Sequence, residues 1–372
     1  MRSSVRGVLR ATPALAFVAC SLVAGLGPQP GALPSSVDGG VSDGALPDAL
    51  SETGQGIDAP SDTGGDTDSS RTGDVPIVAG CRMFPADNPW NRDISNDPVD
   101  TVAMANIMPN MVPTMALHAD WGDTINGYGI PFTVSQAPPA AMTFVGATAA
   151  QSDVVVCPTS IASPICYPIA ADARVELDAD HHVLVLDTTN APNNCTLYEL
   201  FHAVKNAGDP GWTADIGAAF NLGSDALRPD GWASADPAGL AVMPGLVRFE
   251  ETSLGEIKHA MRFTMHDTFN GYIHPATHAA GLAAAGLPPM GLRLRLKASF
   301  DLSGVSGLSL VILHAMQKYG IILADKGTSW YITGDTNDGW TAVLDDIVTQ
   351  MTKVHGNDFE IVQSGPVSTV GL

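Results

Sequence analysis

Side chains that move protons or balance charge concentrate between Leu227 and His278. Asp236, Glu250, His259, Arg262 and His278 lie there with Arg228, Arg248 and Trp232. Carboxylates and imidazoles serve as general acids and bases, and arginines hold carboxylates, so acid/base chemistry is expected in this stretch. Alternation in Leu246–Glu251 places Arg248 and Glu250 on one strand face, and a second acid nearby would give the paired carboxylates of a glycosidase. In Ile257–Met265 the same alternation puts His259 on the apolar face with Ile257, Met261 and Phe263. There it is either a satisfied core histidine or an acid/base group on the floor of a cleft.

A second constellation comes from two runs, His182–Asp187 and Cys195–Leu200, joined by the turn-rich Thr189–Asn194. Pairing near Thr188 and Cys195 sets Glu199 opposite Leu184 and diagonal to His182, on the same face. The pair either projects into a cleft or forms an ion pair at the rim. His274 and His278 have a chelating spacing, but Pro275 and Gly271-Tyr272 argue for a loop, so no metal and no other cofactor is expected. Arg293, Arg295 and Lys297 alternate along one strand face, either neutralising acids across the sheet or lining a groove for carboxylated or hydroxylated ligands. Trp90, Trp232 and Trp330, with Arg262 and Arg293, are the candidate ligand-binding residues. An aromatic ring flanked by Asp, Asn and Gly suits a pyranose face, although such rings also staple loops to a body.

The motifs of the common hydrolase and nucleotide-binding families, Gly-x-Ser-x-Gly, His-Glu-x-x-His, the phosphate loop and Gly-x-Gly-x-x-Gly, do not occur in the chain.

The elements that position these residues read as mainly β. Strands are expected at Ile130–Ser135, Val154–Cys157, Ala173–Leu177, His182–Thr188, Thr196–Phe201, Leu246–Glu251, Ile257–Met265, Leu292–Phe300, Ile321–Ala324, Trp330–Thr333 and Phe359–Val362. Helical spacing occurs in Leu308–Tyr319 and Trp340–Val354. The expected architecture is a β-sandwich or jelly-roll-like domain with two C-terminal helices, the alternative being α+β. Of 372 residues, 45% are apolar and 15% charged, which excludes uniform disorder. The net charge is -21, and residues 81–372 alone carry 30 acids against 14 bases. That field repels phosphate backbones, so nucleic acid is not an expected partner.

Arg2, Arg6 and Arg10 precede an apolar run, Pro13–Leu26, of secretory-signal length. Phe17-Val18-Ala19-Cys20 resembles a lipobox, which makes residues 1–20 a signal peptide and Cys20 a lipidation site, the only expected link to a membrane. Residues 21–80 read as a disordered acidic tether and 81–372 as one globular domain, expected to be monomeric. Export leaves Cys81, Cys157, Cys166 and Cys195 in an oxidising compartment. A local Cys157–Cys166 bridge with a long Cys81–Cys195 bridge is the preferred pairing of the three possible.

Several stretches, among them Phe84-Pro-Ala-Asp-Asn-Pro-Trp-Asn91, Leu117-His-Ala-Asp-Trp-Gly122, Ala226-Leu-Arg-Pro-Asp-Gly-Trp232 and Gly255-Glu-Ile-Lys-His-Ala260, resemble a family of secreted bacterial proteins of unassigned function. The resemblance covers most of residues 82–364. A similar domain in that family can stand beside carbohydrate-binding modules, which implies extracellular polysaccharide as the ligand and brings no mechanism with it. The expectation is therefore an exported, surface-anchored protein acting on polysaccharide. As a glycoside hydrolase it would use Glu199, Asp236 or Glu250 as acid/base carboxylates, assisted by His182, His259 or His278. The alternative is a glycan-binding or adhesin-like module without turnover.

Overall fold

The alternating and β-branched runs are the segments that pair. The computed structural model describes residues 74–208 and 211–372, and within them the fold is mainly β. The expected signal peptide, Cys20 and most of the expected tether lie outside the described residues.

A six-stranded sheet is built from β3 (His118–Gly122), β12 (Met261–Met265), β13 (Arg293–Leu296), β14 (Ile321–Lys326), β15 (Tyr331–Thr336) and β16 (Phe359–Ile361), in the order β16-β13-β14-β12-β15-β3. A four-stranded sheet holds β4 (Phe132–Ser135), β7 (Val183–Asp187), β8 (Thr196–Phe201) and β11 (Ile216–Asn221), in the order β11-β8-β7-β4. A second four-stranded sheet holds β5 (Ala140–Phe144), β6 (Cys166–Tyr167), β9 (Val204–Lys205) and β10 (Trp212–Ala214). A hairpin of β1 (Ile77–Val78) and β2 (Cys81–Arg82) precedes them. It draws residues assigned to the tether into the fold, since Val75 is buried and Asp74 pairs with Lys258.

The helices are α1 (Thr101–Asn106), α2 (Phe249–Ser253), α3 (Gly307–Lys318) and α4 (Leu344–Met351). The last two are the expected C-terminal pair, α3 lying against β13 and α4 against β3.

Strand β7 is apolar at four successive positions because both of its faces are covered. Val183 and Val185, with Tyr198 and Leu200, pack on Met142, Tyr167 and Trp212 of the neighbouring four-stranded sheet, a sandwich-like arrangement. Leu184, Leu186 and Leu197 join the larger core formed with the six-stranded sheet. Any polar side chain on that second face is enclosed between sheets, and this is the face of His182 and Glu199.

Four of the expected strands are corrected. Leu246–Glu251 is not a strand: a 3-10 turn, Met243–Gly245, leads into α2. Glu250 and Glu251 sit in the first turn of α2, where acids are favoured, and Glu251 accepts a hydrogen bond from the Arg248 backbone N–H. Local capping outweighs alternation there. The strand expected from Ile257 begins only at Met261. Val154–Cys157 and Ala173–Leu177 are irregular, Val156 making a lone bridge to Ile165 next to the Cys157–Cys166 disulfide. The disulfides join Cys81 to Cys195 and Cys157 to Cys166.

Candidate functional site

His181 adopts a left-handed backbone conformation immediately before β7, which reverses the chain and sends His182 between the sheets. Glu176 accepts hydrogen bonds through Oε2 from the His182 backbone N–H at 3.1 Å and from Nδ1 at 2.6 Å. Nε2 lies 3.0 Å from the Ala235 carbonyl, so both ring nitrogens donate. Burial alone would lower the pKa of His182. The Glu176 charge and hydrogen bond outweigh it and raise the value to about 9, so the ring is an imidazolium at neutral pH. Reciprocally, burial pushes Glu176 upward, but His182 holds its carboxyl below the ordinary value. The Oε1 atom of Glu176 accepts no hydrogen bond from the described residues.

Arg262, in the middle of β12, is the second cation. It donates to Asp236 Oδ2 from Nε at 3.3 Å and Nη2 at 3.1 Å, to Asp325 Oδ2 at 3.3 Å and to Thr333 Oγ1 at 3.1 Å. Asp236 is wholly buried, and desolvation drives its pKa well above the carboxylate range despite Arg262. Its Oδ1 is buried without a hydrogen-bond partner among the described residues.

Asp120 stands opposite Thr333, where β3 pairs with β15. Burial and then the charges of Glu176, Asp178 and Asp325 push its carboxyl up to about 6, against the pull of Arg262. Asp180 is raised as well, chiefly by burial. Acids therefore outnumber the two cations, Arg262 and His182, around this junction of sheets. The environment splits them into a carboxyl whose pKa is raised to about 6, Asp120, and a carboxylate held below its ordinary value, Glu176. Such a split is the arrangement acid/base catalysis uses.

Of the residues expected from sequence, His182, Asp236 and Arg262 meet here. Glu199 lies behind them, opposite Leu184 as the hairpin register required. Its partner is not His182: its carboxyl accepts the backbone N–H groups of Val242 and Met243, each at 2.9 Å. Full burial raises it to about 7. With Glu199 and Asp236 both closed to solvent, neither can flank an open cleft.

The remaining candidates lie elsewhere. Glu250 is exposed and accepts from Asn337 Nδ2 at 2.8 Å, while Arg248 pairs with Glu251. His259 is buried between the Ala260 carbonyl and Glu251, the satisfied core histidine of its two readings. His278 rests on the Pro237 carbonyl, and burial lowers its pKa.

Trp90 and Trp330 are buried and present no stacking face. Trp330 donates to the Met111 carbonyl at 2.6 Å, and Trp90 packs on Gly245, where a Cβ would lie 2.6 Å from the ring. Both act as staples, and of the expected aromatic platforms Trp232 alone is partly open. Arg293 lines no groove: its guanidinium donates to the carbonyls of Pro89, Arg92 and Tyr319. Arg295 pairs with Glu360, and Lys297 donates to the Asn357 carbonyl.

Sequence reasoning missed Asp120, Glu176 and Asp325. Asp120 had a signal in the alternation His118-Ala-Asp-Trp-Gly122, and Asp325 in ending the apolar run of β14. Glu176 lies in an irregular loop with no local signal.

No family model, curated protein or solved structure matches the chain. The two disulfides fit an oxidising, extracytoplasmic environment. No helix among the described residues is long and apolar enough to cross a membrane. Among those residues no group of three or more His, Cys, Asp or Glu is arranged to hold a metal ion.

Proposed function

We propose that this is an exported hydrolase of extracellular glycans, anchored through Cys20, with Asp120 and Glu176 as its working carboxyls. Asp120 gives its proton to the glycosidic oxygen as the bond breaks. Glu176 Oε1, the oxygen His182 leaves unbound, takes the proton of the attacking water, and the negative field of the cluster favours the oxocarbenium-like charge. His182 and Arg262 are positioning residues: one fixes the Glu176 carboxylate, the other holds Asp325 and Asp236 apart from the reacting atoms. What supports this reading is the gathering, in one cluster, of Asp120, its pKa raised to about 6 by burial, with Glu176, fixed by His182 and held below the ordinary carboxylate value.

A glycan-binding module without turnover is the second reading, favoured by the closure of Glu199 and Asp236 to solvent. A reducing-end and product-mass assay of the protein against plant, algal, fungal and bacterial polysaccharides separates the two. Oligosaccharide release that disappears in Asp120→Asn and Glu176→Gln supports the hydrolase. Retention on a glycan without release contradicts it and leaves the binding module.

A further inference from the structure

A trough of about 220 Å³ lies apart from the acid cluster, lined by Phe84, Asp153, Phe220, Asn221, Leu227 and Arg228. A smaller hollow of about 30 Å³ continues it past Asn88, Asp225 and Pro275. Its walls are built by the two stretches that stood out in the sequence, Phe84–Asn91 and Ala226–Trp232, which the acid/base chemistry leaves without a role. Phe84 is held in a left-handed conformation, unusual for a bulky side chain, with φ at 68°. Asn91 Nδ2 fixes it there by donating to the carbonyls of Met83, Phe84 and Pro85. Asn88 Nδ2 ties this wall to the opposite one through Asp225 Oδ1 at 2.8 Å. A strained aromatic residue held by a dedicated set of hydrogen bonds marks a position the fold maintains for its surface.

The floor is Arg228, nearly buried and locked on three sides: Nε donates to the Ala233 carbonyl at 2.9 Å, Nη2 to the Gln151 carbonyl at 2.6 Å, and Nη1 pairs with Asp153. The rings of Phe220 and Trp232 lie 5.8 and 5.7 Å from its guanidinium carbon. Arg228 is matched by Asp153, and Asp225 accepts a hydrogen bond from the neutral Asn88 amide. An anionic ligand finds no free cation here, because Arg228 is committed to Asp153 and two carbonyls. What the surface offers is an apolar patch from Phe220 and the exposed Leu227, beside the exposed Asn221 amide and the outer lone pairs of two carboxylates. An apolar face bordered by hydrogen-bonding groups suits the C–H face and hydroxyls of a sugar ring. The volume is below the roughly 300–1,000 Å³ that encloses a drug-sized ligand, so it takes one ring of a longer chain.

We infer that this trough is a non-catalytic subsite for an uncharged hexose unit of a polysaccharide, separate from the Asp120–Glu176 centre. The inference rests on the proposed glycan ligand but not on the proposed hydrolysis.

It is tested by titrating the whole protein with cellohexaose, mannohexaose and hexagalacturonate, following intrinsic tryptophan fluorescence and heat of binding. At least one neutral hexamer is expected to bind, the anionic hexamer at least tenfold more weakly. Phe220→Ala should weaken the neutral hexamer more than tenfold. Asn221→Ala, at an exposed position where the side chain's own bond is the one it accepts from the Gly223 N–H at 2.9 Å, should weaken it about threefold to tenfold. Asp120→Asn should leave this affinity unchanged, so loss of turnover with retained binding counts against neither the trough nor its ligand. Unaltered affinity in Asn221→Ala and folded Phe220→Ala overturns the inference, as does preference for hexagalacturonate or binding of none of the three.

Discussion

The acid cluster and the Arg228 trough are made of the same residue types put to opposite uses. In the trough each charged group is held by a fixed partner, Arg228 by Asp153 and Asp225 by the neutral Asn88 amide, so the surface is a fixed shape. Around Arg262 and His182, acids outnumber cations, and Asp120, Asp180 and Asp236 are all pushed toward the protonated form while Glu176 is held ionised. Balance builds a scaffold; imbalance creates groups that exchange protons near neutral pH. The proposed site for chemistry is therefore reached by counting charges across strands rather than by looking for a concavity.

The comparison breaks first at its reactive end. Asp120→Asn and Glu176→Gln should each lower glycan turnover by about 10²–10⁴-fold while leaving the thermal midpoint within a few degrees, measured by product release beside scanning calorimetry. Equal turnover in either variant removes that residue from the mechanism.

Removing the shared cation comes next. Arg262→Ala leaves buried acids without their partner and should destabilise the fold by about 3–5 kcal/mol at pH 8 in denaturant titrations. The loss should be smaller at pH 5, where Asp236 takes a proton in place of the lost cation.

Stability should also fall as pH rises through neutrality. Glu199 and Asp335 are raised to about 7 by burial, so the native state holds protons the unfolded chain has released. Their contribution is complete below the ordinary carboxylate pKa and is lost as pH climbs to about 7. His182, raised to about 9, adds stability below the ordinary imidazole pKa that is lost between there and about 9. Glu176 and Glu251, both lowered, act oppositely and lose their contribution as pH falls below the ordinary carboxylate value. Melting temperatures measured from pH 4 to 9 should peak on the acidic side of neutral; a maximum near pH 8 contradicts this charge assignment.

The smallest effect belongs to the scaffold. Asn88→Ala removes the bond to Asp225 and the one Asn88 Oδ1 accepts from the Trp90 backbone N–H, and should cost about 1 kcal/mol in urea unfolding with turnover unchanged.

The parts of this arrangement carried by local pattern were legible in the sequence. Turn chemistry at Thr189–Asn194 and alternation on both sides set the Leu184–Glu199 register, and helical spacing marked α3 and α4. Asp236 and Arg262 were singled out by type. What alternation could not reveal was which carboxylate His182 would meet. Glu176 reaches it from an irregular loop, and Asp120 and Asp325 arrive on strands separated in the sheet by β12 and β15. The tryptophans misled for a related reason. Asp, Asn and Gly beside Trp90 and Trp340 serve the turns, as in Asn88 capping and Asn337 accepting from the Gly339 N–H, while the rings themselves turn inward. In Leu246–Glu251 a helix cap competed with a period-two pattern and prevailed.

The central claim is that Asp120 works as the protonated partner of an ionised Glu176. Its most direct measurement is the pH profile of oligosaccharide release by wild-type protein and by Asp120→Asn, on a polysaccharide both bind equally. The wild type should turn over fastest in acid and lose activity as pH rises through about 6, the value at which Asp120 gives up its proton, and the variant should be slow at every pH. A wild-type rate that climbs through pH 6 to 8, or an Asp120→Asn profile that matches it, would contradict the assignment.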